Sequence, residues 1–321
     1  MEVLNFVFKC ALVFSIGQAN HISLRLRPCA CFFSTYFCKD GTMLRKRCMV
    51  FDMDGTVYLG PVPIEGTVNF IKKNWGKIDF QFLSNNTSKS PMTYVKRLNS
   101  MGIPATLDQI LTPITPLVHY LKRVGIKRAY LVGNKDFVSC MKEKMPELEN
   151  TAEGAEAVIL AYDTELTYEK IKTSALLLLD KNVEFLATHP DFVCPTDAGP
   201  LPDIGSFIRM YEAATGRSPQ RIFGKPCTEV LEPVLSKYER KDVCMVGDRL
   251  MTDKVLGENA GIDFILVLSG ETTEADLPKV RQQEFRKSLR RFFHIGPKDK
   301  RLPQKTYILP HLGELVFEDD K

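Results

Sequence analysis

Two aspartates one residue apart, Asp52 and Asp54, stand between an apolar stretch and a glycine in the sequence FDMDGT. Paired carboxylates at the end of a strand can attack a substrate or transfer protons. Gly55 permits the tight turn that would deliver both side chains to one place. The pattern on its own also fits a solvated turn, so the polar residues that follow the other apolar stretches decide its meaning.

Four further groups of polar residues also follow apolar stretches. They are Ser84-Asn85-Asn86-Thr87, Gly224-Lys225-Pro226, Gly247-Asp248-Arg249, and Thr252-Asp253 at the start of the next helix. Taken alone, the first fits a turn, Lys225 fits a surface side chain, and Asp253 fits compensation of the helix dipole. Because ligands in open α/β sheets bind at the carboxyl ends of strands, the ordered recurrence of these groups indicates one shared site.

The combined set of acids, a hydroxyl, an amide and one lysine suits a phosphate group handled with a hard divalent cation. Asp52, Asp54 and Asp248 would raise one another's pKa if they were crowded together without a positive charge among them. Mg²⁺ takes oxygen ligands and keeps several of its own water molecules, so it fits such a set. Lys225 would compensate the remaining negative charge.

Short apolar or β-branched stretches alternate with amphipathic ones from Lys46 onward, which predicts repeated βα units and a parallel sheet. The predicted strands are residues 47–51, 80–84, 129–132, 157–161, 184–188, 221–223, 243–246 and 264–268. The interval between Ser84 and Lys225 is far longer than one βα crossover needs. A second small α/β domain is therefore predicted to be inserted at about residues 112–203.

The ordered motifs DMDGT, SNN, GKP and GDRLMTD resemble those of the haloacid dehalogenase-like superfamily of phosphohydrolases. Longer stretches, such as DMDGTVYLGPVPIEGTVNFI and ATGRSPQRIFGKP, look like its NagD-type and para-nitrophenylphosphatase branch, subfamily IIA. The resemblance covers about residues 47–269. It implies an α/β fold with a Rossmann-like doubly wound parallel sheet core, residues 43–111 and 204–321, and an inserted α/β cap domain of the C2 type, residues 112–203.

The resemblance also implies a reaction in two steps. Asp52 would attack phosphorus and form an aspartyl-phosphate. Asp54 would protonate the leaving alkoxide, and would then take a proton from the water that hydrolyses the intermediate. Covalent catalysis by a carboxylate divides one phosphoryl transfer in this way, and one acid near the leaving oxygen can serve both steps.

Two sets of binding residues are implied by the same resemblance. Mg²⁺ would be held by the carboxylates of Asp52 and Asp248 and by the backbone carbonyl of Asp54. The phosphate oxygens would be held by Ser84, Asn85 and Lys225. Asp253 is expected to orient Lys225 or a water bound to the metal rather than to bind the metal directly.

The stretch from Thr188 to Asp203 is rich in proline and polar residues, and substrate selection is expected there. The candidates are His189, Asp191, Thr196 and Asp197. Each also fits a turn or the entry to a helix, and His189 also fits a buried structural histidine. Many members of the branch have Asn where this chain has His189. This difference weakens any assignment of their particular substrates to this chain.

The motifs together predict a Mg²⁺-dependent phosphatase that acts on small phosphorylated metabolites such as nucleotide or sugar phosphate monoesters. A metal-independent dehalogenase of the same superfamily is one alternative, disfavoured because Asp54 and Asp248 are present. A catalytically weak module that binds a partner is the other. The complete set of expected site residues argues against that module.

Composition and charge constrain the partners. With 44% hydrophobic and 26% charged residues over 321 positions, the chain is typical of a soluble two-domain protein. Residues 1–47 carry seven Lys or Arg against two acids, so the net charge of +4 leaves the rest of the chain near neutral. Neither nucleic acid nor a membrane is therefore an expected partner. The expected partner is a small-molecule phosphate ester. A homodimer through the cap is left open.

Nine cysteines without the spacing of a zinc site or a disulfide framework favour a reduced, cytoplasmic protein. Residues 1–42 are expected to be a disordered or mis-assigned extension, because Met43 offers a natural start just before the first strand. The alternative is a targeting segment, which would make the protein organellar or secreted. Eight lysines and arginines in residues 281–301 predict a solvated surface insertion rather than a docking patch for an acidic partner.

Overall fold

The computed structural model describes residues 34–37, 43–196, 199–278, 306–309, 312 and 316–317. The predicted specificity residue Asp197 and the basic stretch 281–301 lie outside these residues, as does most of segment 1–42. The description below therefore concerns the two α/β lobes that the motifs predict.

The strands in chain order are β1 (Ser34–Phe37), β2 (Met43–Lys46), β3 (Cys48–Asp52), β4 (Tyr58–Leu59), β5 (Val62–Pro63), β6 (Asp79–Leu83), β7 (Ile110–Leu111), β8 (Arg128–Val132), β9 (Glu149–Asn150), β10 (Ala157–Leu160), β11 (Glu184–Ala187), β12 (Val193–Thr196), β13 (Gly199–Pro202), β14 (Arg221–Ile222), β15 (Val243–Gly247), β16 (Asp263–Val267), β17 (Thr306–Leu309) and β18 (Val316–Phe317). The α-helices are α1 (Glu65–Asn74), α2 (Pro91–Ser100), α3 (Ile114–Val124), α4 (Lys135–Lys144), α5 (Tyr168–Leu177), α6 (Ile204–Thr215), α7 (Glu232–Leu235) and α8 (Val255–Ala260). Short 3₁₀ turns occur at Leu107–Gln109, Thr228–Leu231, Arg240–Asp242 and Glu274–Asp276, and a π-helical turn at Leu250–Lys254.

The core lobe is built on a parallel sheet with the strand order β17-β16-β15-β3-β6-β7. Side chains of a strand alternate between the two faces of a sheet. On β3, Met49 and Phe51 pack with α1 and α2, whereas Cys48 and Val50 pack with α7 and α8 on the other face. A parallel sheet covered by helices on both faces is the predicted Rossmann-like core, and this prediction is confirmed.

The second lobe has its own parallel sheet in the order β14-β11-β10-β8-β9. On β10, Ala157 and Ile159 pack with α3 and α4. Val158 and Leu160 face the opposite layer, where α5 and α6 lie. The inserted unit is therefore an α/β layer structure like the core, with a buried apolar layer on each side of its sheet.

This lobe continues beyond residue 203, where the sequence places its end. The apolar face of α6, including Ile208 and Tyr211, is buried in the layer that covers one side of the second sheet. β14 then pairs with β11, and Phe223 is buried in the opposite layer. The chain thus returns to the core lobe at Gly224, directly before Lys225.

Smaller antiparallel pairs complete the described structure. β12 and β13 form a hairpin in which Val193 pairs with Pro202 and Thr196 with Gly199. β1, which lies in the predicted N-terminal extension, pairs with β2 and β18. Across the part of the chain that the structure describes, none of the helices combines the length and apolar character that crossing a membrane requires.

Candidate active site

The carboxyl ends of the core strands meet at a small cavity. Asp52 ends β3, Ser84 follows β6 and Asp248 follows β15, while Lys225 is delivered by the segment after β14. The cavity holds about 50 Å³ and is lined by Asp52, Asp54, Ser84, Asn85, Asn86, Asp191, Val193, Cys194, Asp203, Lys225 and Arg249. The structure thus brings together at one place residues that the sequence motifs supply from five separate segments.

Lys225 is the buried cation at the base of this cavity. Its ammonium group donates hydrogen bonds to Asp52 Oδ1 and, at 2.7 Å, to Asp253 Oδ1. Burial by itself would lower the pKa of Lys225, but the carboxylates of Asp253 and Asp52 outweigh it and raise the pKa above its ordinary value. Lys225 is therefore charged at neutral pH and joins the two acids.

Three buried carboxylates surround this lysine. Asp52, Asp248 and Asp253 each offer an oxygen atom, and these atoms lie within 4.8 Å of one another. Burial raises the pKa of Asp52 to about 6, although Lys225 acts in the opposite direction, and burial also raises the pKa of Asp248 and of Asp253. One ammonium group cannot balance three carboxylates. Hard oxygen donors with excess negative charge fit a divalent cation such as Mg²⁺.

The Asp248 carboxylate is fixed by nearby donors and by close backbone packing. The Glu271 N–H donates to Asp248 Oδ2 at 2.6 Å, and the Thr56 hydroxyl donates to Oδ1 at 3.4 Å. Gly55 has a φ of +90°, and a Cβ at Gly55 or at Gly270 would overlap the carboxylate. Glycine at these two positions therefore lets two chain segments approach Asp248 closely.

The turn that follows β6 fixes Ser84 at the wall of the cavity. The Ser84 hydroxyl accepts a hydrogen bond from the Asn86 N–H at 3.1 Å and donates to the Tyr94 hydroxyl at 3.4 Å. The Tyr94 hydroxyl in turn donates to the Asn86 carbonyl at 2.7 Å. Asn86 Oδ1 accepts from the N–H of Ser88 at 2.9 Å and from its hydroxyl at 2.7 Å. The turn is thus held by its own side chains and by α2.

Asn85 holds the peptide of Lys225 with both ends of its side-chain amide. Asn85 Oδ1 accepts from the Lys225 N–H at 2.8 Å, and Asn85 Nδ2 donates to the Lys225 carbonyl at 3.2 Å. The same Nδ2 donates to Asp191 Oδ2 at 3.2 Å. The side-chain amide that was predicted to hold phosphate is therefore engaged with the lysine backbone, and it ties that backbone to the second lobe.

Two of the predicted specificity residues lie close to the cavity. Asp191 lines it, and Asp191 Oδ2 lies 3.5 Å from Arg249 Nη1. His189 is fully buried behind it, with Nδ1 3.6 Å from Asp191 Oδ2 and Nε2 3.6 Å from Asp203 Oδ1. His189 therefore touches the site through Asp191 and Asp203, which both line the cavity, rather than directly.

The structure does not bring Thr196 to the site. Its hydroxyl donates to the Gly199 carbonyl at 2.7 Å inside the β12–β13 hairpin, and the side chain is exposed. This hydrogen bond agrees with the alternative interpretation that Thr196 is a turn residue. Asp197 is the next residue and lies outside the described part of the chain.

Sequence reasoning assigned no role to Arg249 or Glu271, although both lie at the site. The side-chain Nε of Arg249 is 3.1 Å from Glu271 Oε2, and the backbone N–H of Arg249 donates to Asp253 Oδ2 at 3.1 Å. Arg249 directly follows Asp248 in the GDR motif. Gly270 and Glu271 come shortly after β16, so the same strand-end pattern that identified the other groups extends to them.

Two family profiles match the chain. A profile described as haloacid dehalogenase-like hydrolase matches residues 49–144, and one described as HAD-hydrolase-like matches residues 222–291. The first match includes Asp52 and Ser84, and the second includes Lys225 and Asp248. The profiles thus cover the segments that form the cavity from the core side.

Known proteins are similar over most of the chain. The acid sugar phosphatase of Staphylococcus haemolyticus is 32% identical over 73% of this chain and 89% of its own length. The 5′-nucleotidase YutF of Bacillus subtilis is 31% identical over 70% of this chain and 87% of its own length. The crystal structure of 4-nitrophenylphosphatase from Thermotoga maritima matches with a TM-score of 0.70 and 34% identity, over 84% of this chain and 95% of that one.

Proposed function

Since the chain belongs to the haloacid dehalogenase-like hydrolases of the NagD and para-nitrophenylphosphatase branch, and is a phosphoric monoester hydrolase, we propose that it acts on small phosphorylated metabolites. The proposed substrates are nucleotide or sugar phosphate monoesters, in keeping with the names of the two relatives from Staphylococcus haemolyticus and Bacillus subtilis. The observation that supports a phosphoryl mechanism most directly is the meeting of Asp52, Asp248 and Asp253 with Lys225.

Asp52 is the proposed nucleophile. It lines the cavity, and its hydrogen bond from Lys225 favours the ionised form that can attack phosphorus. The attack forms a bond between an Asp52 oxygen and phosphorus while the bond to the leaving alkoxide breaks. Water then hydrolyses the aspartyl-phosphate, which regenerates the carboxylate and releases inorganic phosphate.

Asp54 is the proposed acid and base. It lines the same cavity and is half-buried, unlike the buried Asp52. In the first step it gives a proton to the leaving alkoxide, and in the second it takes a proton from the attacking water. Asp52 and Asp54 both line the cavity, which supports this division of work.

The remaining polar groups are proposed to bind the phosphate and a cation. Mg²⁺ would be held by Asp52, Asp248 and the backbone carbonyl of Asp54, with Asp253 beside them. When bound, the cation supplies positive charge that stabilises the loose phosphoryl transition state. The phosphate oxygens would be held by Ser84, Lys225 and the backbone N–H of Asn85, because the side-chain amide of Asn85 holds the Lys225 peptide.

The second lobe is the proposed cap. It contacts the core through the hydrogen bond from Asn85 to Asp191 and through the paired hydroxyls of Thr87 and Thr188, 3.2 Å apart. A closed cap would exclude water while the phosphoryl group is transferred. A homodimer formed through this lobe stays a prediction, and sedimentation equilibrium would test it by the molecular mass in solution.

The direct test measures inorganic phosphate released from para-nitrophenyl phosphate and from a panel of nucleotide and sugar phosphates. Asp52→Asn keeps the side-chain volume but removes the nucleophile, so kcat should fall by roughly 10⁴-fold or more while the near-UV circular dichroism spectrum is retained. Chelation of the metal should abolish turnover, and added Mg²⁺ should restore it. Asp242→Asn is the matched control, because Asp242 is a buried aspartate outside the cavity lining. Full turnover by Asp52→Asn, or in chelator, would contradict the proposal.

A further inference from the structure

A larger cavity adjoins the small cavity at Asp52, which we call the catalytic cavity. The larger cavity lies between residues 190–193 of the second lobe and residues 226, 249, 251, 252 and 271 of the core lobe, and we call it the leaving-group cavity. It holds about 360 Å³ against about 50 Å³ for the catalytic cavity, and Asp191, Val193 and Arg249 line both. Sites that enclose an organic ligand measure about 300–1,000 Å³. The small cavity therefore suits the phosphoryl group, and the larger one suits the organic part of the ester.

The walls of the leaving-group cavity are mainly apolar. Phe192, Val193 and Met251 line it although 53%, 41% and 77% of their surfaces are exposed, and Pro190 and Pro226 complete the wall. Large apolar side chains that converge on one exposed cavity mark a ligand site. Against these five side chains a polyhydroxylated sugar would lose hydrogen bonds to water without replacement, whereas an apolar ring would gain from burial.

Phe192 is held so that its ring can serve as a stacking surface. The Phe192 carbonyl accepts hydrogen bonds from the Asp203 N–H at 3.0 Å and from the Ser206 hydroxyl at 2.6 Å. The Arg209 guanidinium lies 5.9 Å from the centre of the Phe192 ring. A half-exposed ring on an anchored backbone allows a second ring to pack against it at a centroid distance of about 4.5–7 Å.

The charge of the leaving-group cavity is negative. Arg249 is the one cation among the described residues that line it, and it lies between two carboxylates. Its Nη1 is 3.5 Å from Asp191 Oδ2, and its Nε is 3.1 Å from Glu271 Oε2. Because these two acids outnumber the guanidinium, the cavity disfavours a leaving group that carries a carboxylate or a second phosphate.

From these observations we infer that the enzyme selects phosphate monoesters whose leaving group is uncharged and carries an aromatic ring. The inference rests on the proposed phosphatase function and deepens it. The ring packs against Phe192 and Met251, while the phosphoryl group occupies the small cavity at Asp52. Monoesters of aryl alcohols and of nucleosides meet this description. Of the two substrate classes proposed above, nucleotide monoesters are thus favoured over sugar phosphates, and bisphosphates and phosphorylated carboxylic acids are disfavoured.

A panel of four alkyl phosphates tests the selection, because each expels an alkoxide. The substrates are benzyl phosphate, ethyl phosphate, glucose 6-phosphate and 2-phosphoglycolate, compared by kcat/KM with Mg²⁺. Benzyl phosphate should exceed ethyl phosphate by about tenfold or more, the factor that burial of an aromatic side chain supplies. Glucose 6-phosphate and 2-phosphoglycolate should both fall below benzyl phosphate.

Two variants test whether the leaving-group cavity causes this selection between substrates. Phe192→Ala should lower the ratio of kcat/KM for benzyl phosphate over ethyl phosphate by about three- to tenfold, because the stacking surface is lost. Glu271→Gln should raise the ratio for 2-phosphoglycolate over ethyl phosphate, because one of the two carboxylates is neutralised. Tyr168→Ala is the matched control, since Tyr168 is an exposed aromatic residue outside both cavity linings, and it should leave both ratios unchanged.

The outcomes separate the inference from the function on which it rests. Equal kcat/KM for benzyl and ethyl phosphate, or an unchanged ratio in Phe192→Ala, overturns the inference while phosphatase activity stands. Absence of hydrolysis of all four esters overturns both. Should Phe192→Ala fail to fold, Phe192→Leu keeps apolar volume without the ring and provides the same ratio.

Discussion

Without a divalent cation, the folded protein is expected to lose stability as the pH rises from about 4.5 to about 7. Burial raises the pKa of Asp52 to about 6, against an ordinary value of 3.8. A group whose pKa is higher in the folded state binds its proton more tightly there, so it stabilises the folded state fully below pH 3.8. This stabilisation is lost as the pH rises through 6.

The magnitude follows from the size of the shift. A difference of about two pKa units corresponds to about 3 kcal/mol in the free energy of unfolding. About 2 kcal/mol of this falls between about pH 4.5 and about pH 7. Burial raises the pKa of Asp248 and Asp253 as well, so these two carboxyl groups act in the same direction.

Urea unfolding in the presence of a chelator measures the effect. Wild type and Asp52→Asn are compared across this pH range, because titrations that Asp52 does not influence cancel in the difference. The free energy of unfolding of wild type should fall relative to that of Asp52→Asn by about 2 kcal/mol. Saturating Mg²⁺ should remove most of this slope, since a bound cation favours the ionised carboxylates. A difference that is constant with pH, or that grows in favour of wild type, would refute the reasoning.

Lys225→Met should lower the free energy of unfolding by about 3–5 kcal/mol, because it leaves buried carboxylates without their cation. The double variant with Asp253→Asn should recover part of that loss, and urea unfolding without metal measures both; no recovery would count against the ion pair as the cause. Gly270→Ala should weaken Mg²⁺ binding by about 10- to 100-fold in calorimetric titration, because the added Cβ would overlap the Asp248 carboxylate. Gly257→Ala is its control, as a Cβ there meets no atom closer than 3.4 Å, and equal affinities would contradict the steric explanation.

Much of the core could be predicted from the sequence because its signals are local. The predicted strands at 47–51 and 243–246 lie within one residue of Cys48–Asp52 and Val243–Gly247. Each is a short apolar stretch that ends at the polar residues of a motif. Likewise Ser90 accepts a hydrogen bond from the Thr93 N–H at the start of α2, as a Ser-Pro pair at a helix start predicts.

The extent of the second lobe could not be predicted because it depends on distant partners. The sequence predicts a strand at residues 221–223, where β14 lies, but the place of β14 in the second sheet comes from its pairing with β11, more than 30 positions earlier. The apolar face of α6 fits either lobe when read from sequence alone. The same holds for Asn85, whose amide has its partner at Lys225, 140 positions away. Such contacts belong to the assembled fold rather than to any short segment.

The hydrogen bonds of Asn85 give the second lobe a part in the chemistry that is separate from substrate contact. Asn85 Nδ2 is shared between the Lys225 carbonyl and Asp191, so the position of the cap loop and that of the lysine backbone are linked. His189 packs behind Asp191 with no exposed surface. We therefore expect the residue at this position to act on the site by setting where Asp191 and Asp203 lie. Variation there can change the closed geometry around Lys225 without adding any contact to the substrate, which is why the motif alone does not reveal its role.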